Sequence, residues 1–268
     1  MNSYMENYIL DINPIAFSVG PINIYWYGLA YMAGMVLGLF YALKIVETKK
    51  ENCNLLITKK NIDEIFIWIV FGIIFGARFG YVIFYNFDFY LNNPLLILSF
   101  WEGGMSFHGA LAGIILGTYW FSVKNKIPTF FLLDIISFVA PIGIFFGRIA
   151  NFINGELVGK TTDVFWGVIF PSVDNSIRHP SQLYEAFLEG IVLFLIMNFI
   201  LFKDNYKSGT CSYFFLIFYG IFRIFSELFR EPDLQVGYFF NSISMGMILS
   251  ILMIIAGIII FFKKDEIK

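Results

Sequence analysis

Residues 130–150 read FFLLDIISFVAPIGIFFGRIA, and among these 21 positions only Asp134 and Arg148 carry a charge. A helix of about 20 apolar residues crosses the hydrocarbon core of a bilayer, which is about 30 Å thick. The rest of the chain has the same character, because 58% of its 268 residues are hydrophobic and only 14% are charged, against roughly 45–50% and roughly 25% in soluble proteins. Together with a mean hydropathy of +0.73, this composition excludes a soluble or disordered protein, so the excess apolar surface must face lipid.

Seven stretches are apolar and long enough to cross a membrane, which predicts an all-α membrane protein with seven transmembrane helices. The predicted spans lie near residues 22–46, 62–86, 105–123, 130–150, 181–202, 210–230 and 238–262. We expect residues 1–268 to form a single polytopic membrane domain, with a small external head segment near 151–180, between helices four and five. Residues 1–20 contain no Lys or Arg, so they lack the positive region of a signal peptide.

The lysines indicate the orientation. Twelve of them lie in alternate loops or at the C-terminus, and the opposite loops hold only Lys160 and Arg178. By the positive-inside rule the N-terminus is outside and the C-terminus inside, which an odd number of helices also requires. The net charge of −2 gives no general attraction to nucleic acid, and no nucleic-acid partner is predicted.

The five arginines do not follow this rule, because none lies on the predicted cytoplasmic side. Four lie in or at the ends of predicted helices: Arg78, Arg148, Arg223 and Arg230. An arginine at membrane depth costs at least about 2.5–3.5 kcal/mol on insertion scales, so something must compensate for it. On the predicted topology, polar residues gather at the outer helix ends: Tyr25, Trp26, Tyr27, Arg78, Tyr81, Tyr85, Trp101, Glu102, Ser106, His108, Arg148, Asn151, Glu185, Glu189, Tyr219, Arg223, Glu227 and Arg230.

Structural explanations compete with a functional one at several of these positions. Aromatic residues at helix ends form interfacial belts, which accounts for Tyr25 and Trp26 as well as a site does, whereas Tyr27 lies one residue deeper and is a better site candidate. Arg78 could pair with a neighbouring helix or snorkel towards lipid phosphates. Tyr81 lies one turn further along the same predicted helix.

For three acidic residues the sequence offers either a structural explanation or none. Glu185 and Glu189 could form a solvated helix start that the helix dipole favours, and this is our interpretation of Glu189. Asp134 lies in predicted helix four towards the inside and has no obvious partner. We therefore assign it no role.

Predicted helix six carries Tyr219, Arg223, Glu227 and Arg230 at spacings of 4, 4 and 3, within one sector of about 80°. A structural Arg223–Glu227 pair is possible, since residues at i and i+4 meet on a helix. A lone pair contributes little inside lipid and is costly to place there, whereas intramembrane charges commonly mark function. This face therefore predicts an anion-binding site.

The segment GRIANFINGELVG, residues 147–159, is the densest polar run. Arg148, Asn151 and Asn154 are spaced by three residues, so they share one face if the helix continues, and Glu156 follows where the chain turns. A loop alone would not need these residue types in so apolar a setting. The segment is therefore a second candidate part of the same site.

His108 stands where a loop meets a helix, and its unperturbed pKa near ~6.5 suits proton transfer at neutral pH. His179, beside Pro180 and Ser181, suits a structural role at a helix start. Two histidines and two cysteines without ligand spacing predict no metal site. No cofactor is predicted either.

GRIANFINGELVG resembles the signature of the bacterial prolipoprotein diacylglyceryl transferases. Further matching stretches span almost the whole chain in family order: WYGLAY (26–31), GARFGYVIFY (76–85), WEGGMSFHGALAG (101–113), RHPSQLYEA (178–186) and residues 219–237. One position differs, because Tyr25 stands where this family often has His. That difference leaves His108 as the main candidate for proton transfer.

The resemblance implies an enzyme that moves the diacylglyceryl group of phosphatidylglycerol to the lipobox cysteine thiol of a prolipoprotein. A thioether forms and glycerol phosphate leaves, in the first step of bacterial lipoprotein maturation. The implied partners are phosphatidylglycerol, the prolipoprotein signal peptide and membrane lipids. The implied location is the bacterial cytoplasmic (inner) membrane, with the active site facing the outer leaflet.

With this chemistry, the predicted catalytic residues are His108, Arg148 and Arg223. The predicted substrate-binding residues are Tyr27, Arg78, Tyr81, Asn151, Asn154, Glu156, Tyr219, Glu227 and Arg230. Guanidinium groups suit an anionic headgroup and a leaving phosphate. Cys53 and Cys211 lie towards the predicted inner side, which disfavours a covalent cysteine intermediate.

Other classes of membrane protein explain less of the sequence. An intramembrane serine protease leaves the arginines unexplained. A transporter would need polar residues that continue to the inner side, and a receptor or structural protein leaves the outer cluster unexplained. A product of the expected mass on a peptide distinguishes the enzyme from all three.

Overall fold

The computed structural model describes residues 8–49, 57–99, 106–202, 207–232, 238–239 and 243–263. The described chain is mostly helical. It divides into a larger unit, residues 1–40 with 134–268, and a smaller unit, residues 41–133. Helices α1 (Trp26–Lys49) and α5 (Thr129–Ile153) each contribute to both units.

The smaller unit is centred on helices α2 (Lys59–Tyr85) and α4 (Phe107–Asn125). Between them lie the short helix α3 (Phe87–Asn92) and a 3-10 turn, Pro94–Leu98. Helices α2 and α4 approach backbone to backbone, because a Cβ on Gly80 would lie only 2.7 Å from the Gly109 Cα. Glycines spaced by four residues therefore allow close helix packing here.

The larger unit contains most of the remaining helices. After α5 come α6 (Ser181–Glu185), a π-helical segment (Ala186–Val192) and α7 (Leu193–Leu201), which follow one another without a break; α8 (Thr210–Glu227) and α9 (Met245–Lys263) come next. Helices α1 and α5 also approach closely, since a Cβ on Gly34 would lie 3.0 Å from the Gly143 Cα. Close packing at these glycines fixes the positions of α1 and α5 relative to each other, and these helices carry Tyr27 and Arg148.

A small sheet lies beside these helices. Strand β1 (Tyr8–Ile9) pairs in parallel with β4 (Val168–Ile169), and β4 pairs antiparallel with β5 (Ile177–Arg178). Leu10, Val158, Val168 and Phe170 form its buried core. We call residues 154–180 the head; they follow α5 and supply strands β4 and β5 of this sheet. Helix α5 itself extends three residues beyond the predicted end of its span.

Two predicted spans begin too early. Residues 22–25 form strand β3 (Ile22–Tyr25), which pairs with β2 (Ile15–Val19) across a turn where Gly20 has φ +59°. At the last span, β6 (Tyr238–Phe239) pairs with β7 (Ile243–Ser244), and helix α9 begins only at Met245. The Ser244 hydroxyl accepts the Met247 N–H at 3.1 Å, and this cap fixes the helix start.

Five helices in the described part of the chain are long and apolar enough to cross a membrane. They are Trp26–Glu47, Lys59–Ile83, Thr129–Ile153, Ser181–Leu201 and Met245–Lys263. The other two predicted spans, 105–123 and 210–230, coincide with helices α4 and α8 but fall outside these five. Helix α8 carries Arg223 and Glu227, which lower its hydropathy. The described chain is thus a polytopic helical membrane protein.

Asp134 has a defined role that the sequence does not reveal. Its buried carboxylate accepts hydrogen bonds from the backbone N–H groups of Gly209 and Ser212, both at 2.7 Å, and from the Ser212 hydroxyl at 2.6 Å. These N–H groups belong to the start of α8, where a helix leaves donors without helical partners. Asp134 therefore ties the start of α8 to α5.

Candidate functional site

Three arginines and three glutamates meet inside the larger unit. Arg148 lies on α5, Glu185 ends α6, Glu189 lies in the π-helical segment, Arg223 and Glu227 lie on α8, and Arg230 follows α8. We call these six residues the ion cluster. The structure brings together all three arginines of predicted helices four and six, which are Arg148, Arg223 and Arg230.

Glu185 is the centre of the ion cluster. Its Oε2 lies 2.8 Å from Arg148 Nη1, and its Oε1 lies 2.5 Å from Arg223 Nη1 and 3.2 Å from Arg230 Nη1. The side chain has no exposed surface. One buried carboxylate therefore holds all three guanidinium groups.

Glu189 binds the same arginines from the next helical turn. Its Oε2 accepts from Arg148 Nη2 at 3.0 Å and from Arg148 Nε at 3.3 Å, and its Oε1 lies 3.8 Å from Arg223 Nη1. The expected solvated position of Glu189 is wrong, since this side chain is fully buried. It lies in a π-helical segment, a local irregularity that is frequent at functional sites.

The segment that carries Glu189 comes unusually close to α5. A Cβ on Gly190 would lie 3.0 Å from the Phe145 Cα. Phe145 lies one turn before Arg148 on the same helix. The absence of a side chain at Gly190 therefore lets Glu189 reach Arg148.

Glu227 completes the ion cluster on the other side of Arg223. The two side chains form an i,i+4 ion pair along α8, and Glu227 Oε2 accepts the Ser244 hydroxyl at 3.0 Å. Gly246 lies against the Glu227 carboxylate, where any Cβ would collide with Oε1. The start of α9 is thus shaped to leave room for this carboxylate.

The ion cluster holds equal numbers of formal positive and negative charges. Isolated charges in an apolar interior are very costly, and pairing reduces that cost. Arg148 and Arg223 keep 16% and 12% of their side-chain surface exposed, whereas Glu185 and Glu189 keep none. The accessible edge of the cluster therefore belongs to the arginine side chains, and the two carboxylates that pair with them are fully buried.

Tyr219 lies one turn before Arg223 on α8. It is within electrostatic range of Glu189, Arg148 and Arg223, and its ring stacks on Phe215 with centroids 5.7 Å apart. Tyr219, a predicted substrate-binding residue, thus lies beside the ion cluster.

A second polar group surrounds Glu156. Its carboxylate accepts from Asn151 Nδ2 at 3.5 Å and Asn154 Nδ2 at 3.4 Å, and its backbone carbonyl accepts from Gln182 Nε2 at 2.6 Å. Tyr27 contacts the Asn151 side chain and senses the charge of Glu156. We call these five residues the Glu156 cluster; four of them are predicted site residues, and Gln182 is an addition.

The Glu156 cluster adjoins the ion cluster along helices α5 and α6. Asn151 follows Arg148 by three residues on α5, and Gln182 precedes Glu185 by three residues on α6. Three residues advance a helix by about 4.5 Å. The Glu156 cluster therefore lies about one helical turn from the ion cluster, and it offers amide, carboxylate and phenol groups beside the guanidinium groups.

Arg78 and Tyr81 belong to the smaller unit. Arg78 is fully buried, donates from Nε to the Ile97 carbonyl at 2.9 Å and from Nη2 to the Leu96 carbonyl at 2.6 Å, and lies over the Tyr90 ring at 5.2 Å. Tyr81 packs edge-on against the same Tyr90 ring. Their described contacts hold the 3-10 turn onto α2.

His108 is the second residue of α4, but its side chain lies outside the described residues. The helix start that carries it is well defined, because the Ser106 hydroxyl accepts the Gly109 N–H at 3.2 Å. The proton-transfer role of His108 stays a prediction.

The head contains an ion pair between Arg178 and Asp174. Arg178 donates to Asp174 at 2.5 Å and 3.2 Å, and these bonds lower the pKa of Asp174 to about 2. Burial lowers the pKa of His179, whose Nδ1 lies 3.1 Å from the Tyr184 hydroxyl. His179 also accepts the Ser181 N–H through its carbonyl at 2.8 Å, as its predicted place at a helix start requires.

The fold and these clusters define a class: a polytopic helical membrane protein with a buried polar site that presents guanidinium groups. The family model described as prolipoprotein diacylglyceryl transferase matches residues 14–263. The chain belongs to the prolipoprotein diacylglyceryl transferase family.

Individual relatives match over nearly their full length. The chain is 51% identical over 257 residues to the phosphatidylglycerol–prolipoprotein diacylglyceryl transferase of Rickettsia bellii, which covers 95% of this chain and 96% of the relative. It is 52% identical over 249 residues to the enzyme of the same name from Rickettsia felis, with coverage of 92% and 95%. The relative of that name in Rickettsia typhi is 51% identical over 249 residues, with the same coverage.

Proposed function

We propose that the ion cluster and the Glu156 cluster form the site at which this chain transfers the diacylglyceryl group of phosphatidylglycerol to a prolipoprotein cysteine. Family membership gives the reaction, which is the first step of lipoprotein maturation. The observation that supports the location is the accessible arginine edge of the cluster, where Arg148 and Arg223 keep part of their side chains exposed while Glu185 and Glu189 are fully buried. Such an edge suits a lipid phosphate, because guanidinium groups bind phosphate oxygens in a bidentate manner.

The reaction exchanges one bond for another. The cysteine sulfur attacks the glyceryl carbon that bears the phosphate, a carbon–sulfur thioether bond forms, and the carbon–oxygen bond to phosphate breaks. Glycerol phosphate leaves with the electron pair of that bond. Negative charge grows on the departing phosphate, so Arg148 and Arg223 lower the barrier as well as bind the lipid.

The thiol must lose its proton, because the thiolate is the nucleophile and a free cysteine has a pKa near ~8.5. We propose that His108 takes this proton. Arg223 offers an alternative, since a guanidinium group beside the thiol favours the thiolate without a separate base.

The remaining predicted residues shape and orient the site. Asn151, Asn154 and Glu156 supply groups for the glycerol hydroxyls, and Tyr27 and Tyr219 line the headgroup pocket. Glu227 and Arg230 orient Arg223 through the ion cluster. Substrate binding by Arg78 and Tyr81 stays a prediction, and their contacts with the 3-10 turn define the competing, structural role.

The topology is part of the same proposal. We propose one polytopic membrane domain of seven spans, in which α4 and α8 cross the membrane with the five more apolar helices. The lysine distribution puts the N-terminus outside and the C-terminus inside. The head is then external, and the site faces the outer leaflet of the cytoplasmic membrane.

Mass spectrometry of a lipobox peptide tests the proposal. The purified protein in detergent is incubated with the peptide and phosphatidylglycerol, beside Arg223→Ala and the matched cationic control Lys124→Ala, at an exposed helix position. We expect wild type and Lys124→Ala to add a diacylglyceryl mass to the cysteine, and Arg223→Ala to add almost none. Equal addition by all three proteins would remove the ion cluster from the mechanism; no addition by folded wild type would favour lipid binding or transport.

His108→Gln tests the proton acceptor separately. We expect turnover to fall at neutral pH and to recover in part as the pH rises towards the thiol pKa, because the free thiolate fraction grows. Near-normal turnover at neutral pH would leave Arg223 as the group that favours the thiolate.

A further inference from the structure

The head has a tight turn with aromatic residues at its tip. The Gly167 N–H donates to the Val164 carbonyl at 3.0 Å, which places Phe165 and Trp166 at the two central positions. Such positions usually hold Gly, Pro, Asn, Asp or Ser. Phe165 is 70% exposed and Trp166 is 49% exposed, so this tip is poorly suited to water.

A hydrogen bond fixes the depth of this turn. The Trp166 indole N–H donates to the Tyr184 hydroxyl at 2.6 Å. Tyr184 is the fourth residue of Ser181–Leu201, one of the helices able to cross a membrane. The Phe165–Trp166 turn therefore lies level with the first turn of a membrane-crossing helix, where the polar and apolar layers of a bilayer meet.

The aromatic tip is also continuous with the apolar surface of the helices. The Tyr184 ring packs against Phe229 at 5.6 Å, and Phe229 packs against Phe225 at 5.5 Å. Phe225 and Leu228 are both about half exposed. Exposed apolar side chains on a helix that crosses the bilayer face lipid, so with α8 crossing as proposed the same lipid surface reaches the turn.

We propose that the Phe165–Trp166 turn inserts into the phospholipid interface and anchors the head to the membrane. Tryptophan is enriched in this layer, because its ring is apolar and its N–H still finds a polar partner. Here that partner is Tyr184. The proposal depends on Ser181–Leu201 and α8 crossing the bilayer and not on the transferase reaction, so the anchor and the reaction can each fail without the other.

The opposite end of the head provides a control. Strands β4 and β5 run from the aromatic turn to the hairpin tip, where Asn175 is exposed. The ends of these strands near Gly167 and His179 adjoin the helix start, whereas Asn175 lies at their far ends. We expect Asn175 to face water.

Environment-sensitive fluorophores on single cysteines test the anchor. Cys211 is buried, so a Cys53→Ser background limits labelling to an introduced Phe165→Cys or Asn175→Cys. The labelled proteins are reconstituted into phosphatidylethanolamine–phosphatidylglycerol vesicles, with or without a phosphatidylcholine that carries a nitroxide near its headgroup. We expect a blue-shifted emission and strong nitroxide quenching at position 165, and a water-like spectrum with weak quenching at position 175.

Water-like spectra and weak quenching at both positions would overturn the anchor. Hydrogen exchange of residues 154–180 in nanodiscs provides a second measurement that needs no attached fluorophore. We expect Phe165→Asp to speed backbone exchange in the head relative to wild type and to Asn175→Asp. Unchanged exchange in Phe165→Asp would contradict the proposal even where the labelled cysteine partitions into lipid on its own.

Discussion

Buried arginines occur in both units, but the two units neutralise them differently. In the smaller unit, Arg78 donates to two backbone carbonyls, Leu96 and Ile97, and lies over the Tyr90 ring. In the larger unit, Arg148 and Arg223 pair with the carboxylates of Glu185 and Glu189. Arg78 has no exposed surface, whereas the cluster arginines keep an exposed edge.

With the proposed function, this difference distinguishes a fastening arginine, Arg78, from the binding arginines Arg148 and Arg223. Carbonyl acceptors from a 3-10 turn hold Arg78 in place and join that turn to α2, and the fully buried side chain offers no accessible donor. Carboxylates beside Arg148 and Arg223 compensate their charge, and part of each arginine side chain stays accessible. From the described partners of each arginine we expect a structural role for Arg78 and a binding role for Arg148 and Arg223.

The largest expected effect comes from the carboxylate at the centre of the ion cluster. Glu185→Gln removes the charge that contacts all three arginines, and breaking a buried ion pair from one side costs about 3–5 kcal/mol. We expect a large loss of stability in thermal or denaturant unfolding of the detergent-solubilised protein.

Glu189→Gln is the matched comparison for Glu185→Gln. Among the described residues, Glu189 bonds closely to Arg148 and lies 3.8 Å from Arg223. Its substitution should therefore cost less stability than Glu185→Gln. Equal losses would mean that the two carboxylates act as one unit and that Glu185 has no central position.

The next effect is on turnover. Arg223→Ala removes a donor from the growing charge on the phosphate, and loss of one such donor typically lowers kcat by about 10²–10³-fold. Diacylglyceryl transfer to a lipobox peptide, measured at several phosphatidylglycerol concentrations, separates kcat from KM.

Arg223→Lys is the control for the geometry of the guanidinium group. A lysine keeps the positive charge and loses the planar fork, so we expect partial recovery of binding with little recovery of kcat. Full recovery would show that Arg223 acts only as a point charge. Unaltered kinetics in Arg223→Ala and Arg148→Ala together would refute the anion-binding edge.

Arg78→Met gives a smaller effect of a different kind. Hydrogen bonds from a charged group contribute about 1.5–3 kcal/mol each, and this substitution removes those to Leu96 and Ile97. We expect lower stability with near-normal turnover for each folded molecule. A raised KM for phosphatidylglycerol at unchanged stability would instead support the substrate-binding role predicted from the sequence.

Sequence spacing identifies the arginines and Glu227 of the ion cluster, but it does not identify the roles of Glu185 and Glu189. Simple periodicity predicts Arg223, Glu227 and Arg230 on one helical face. Helix α8 ends at Glu227, but Arg223 and Arg230 still contact the same Glu185 carboxylate. Glu185 and Glu189 lie at a helix start, where the helix dipole alone explains acidic residues. The sequence signal for a buried role is that these two carboxylates lie one turn apart in a very apolar helix.

Contacts distant in sequence explain the other differences. The partners of Asp134 lie 75 and 78 residues away, and no local pattern connects them. The strands have two to five residues, which is too short for an alternating pattern to identify them. The helices were predictable because a bilayer requires about 20 apolar residues in each, and that requirement is local.

The smallest effect distinguishes a surface ion pair from the ion cluster. Arg178 holds the pKa of Asp174 at about 2, below the ordinary value near ~3.9. Because the folded-state pKa is lowered, the stabilisation is complete above the ordinary value and is lost as the pH falls towards the folded-state pKa. Asp174→Asn should therefore be slightly less stable than wild type near neutral pH and should match it as the pH approaches 2.

Unfolding of both proteins over this pH range, at low and high salt, measures the difference, and Asp163→Asn, at an exposed position of the same head, controls for loss of a carboxylate. Salt screens exposed charges much more than buried ones, so high salt should remove the effect of Asp174→Asn and leave that of Glu185→Gln. A salt-resistant loss at Asp174 would show that the head pair resembles the ion cluster, and the proposed distinction between the two would then fail.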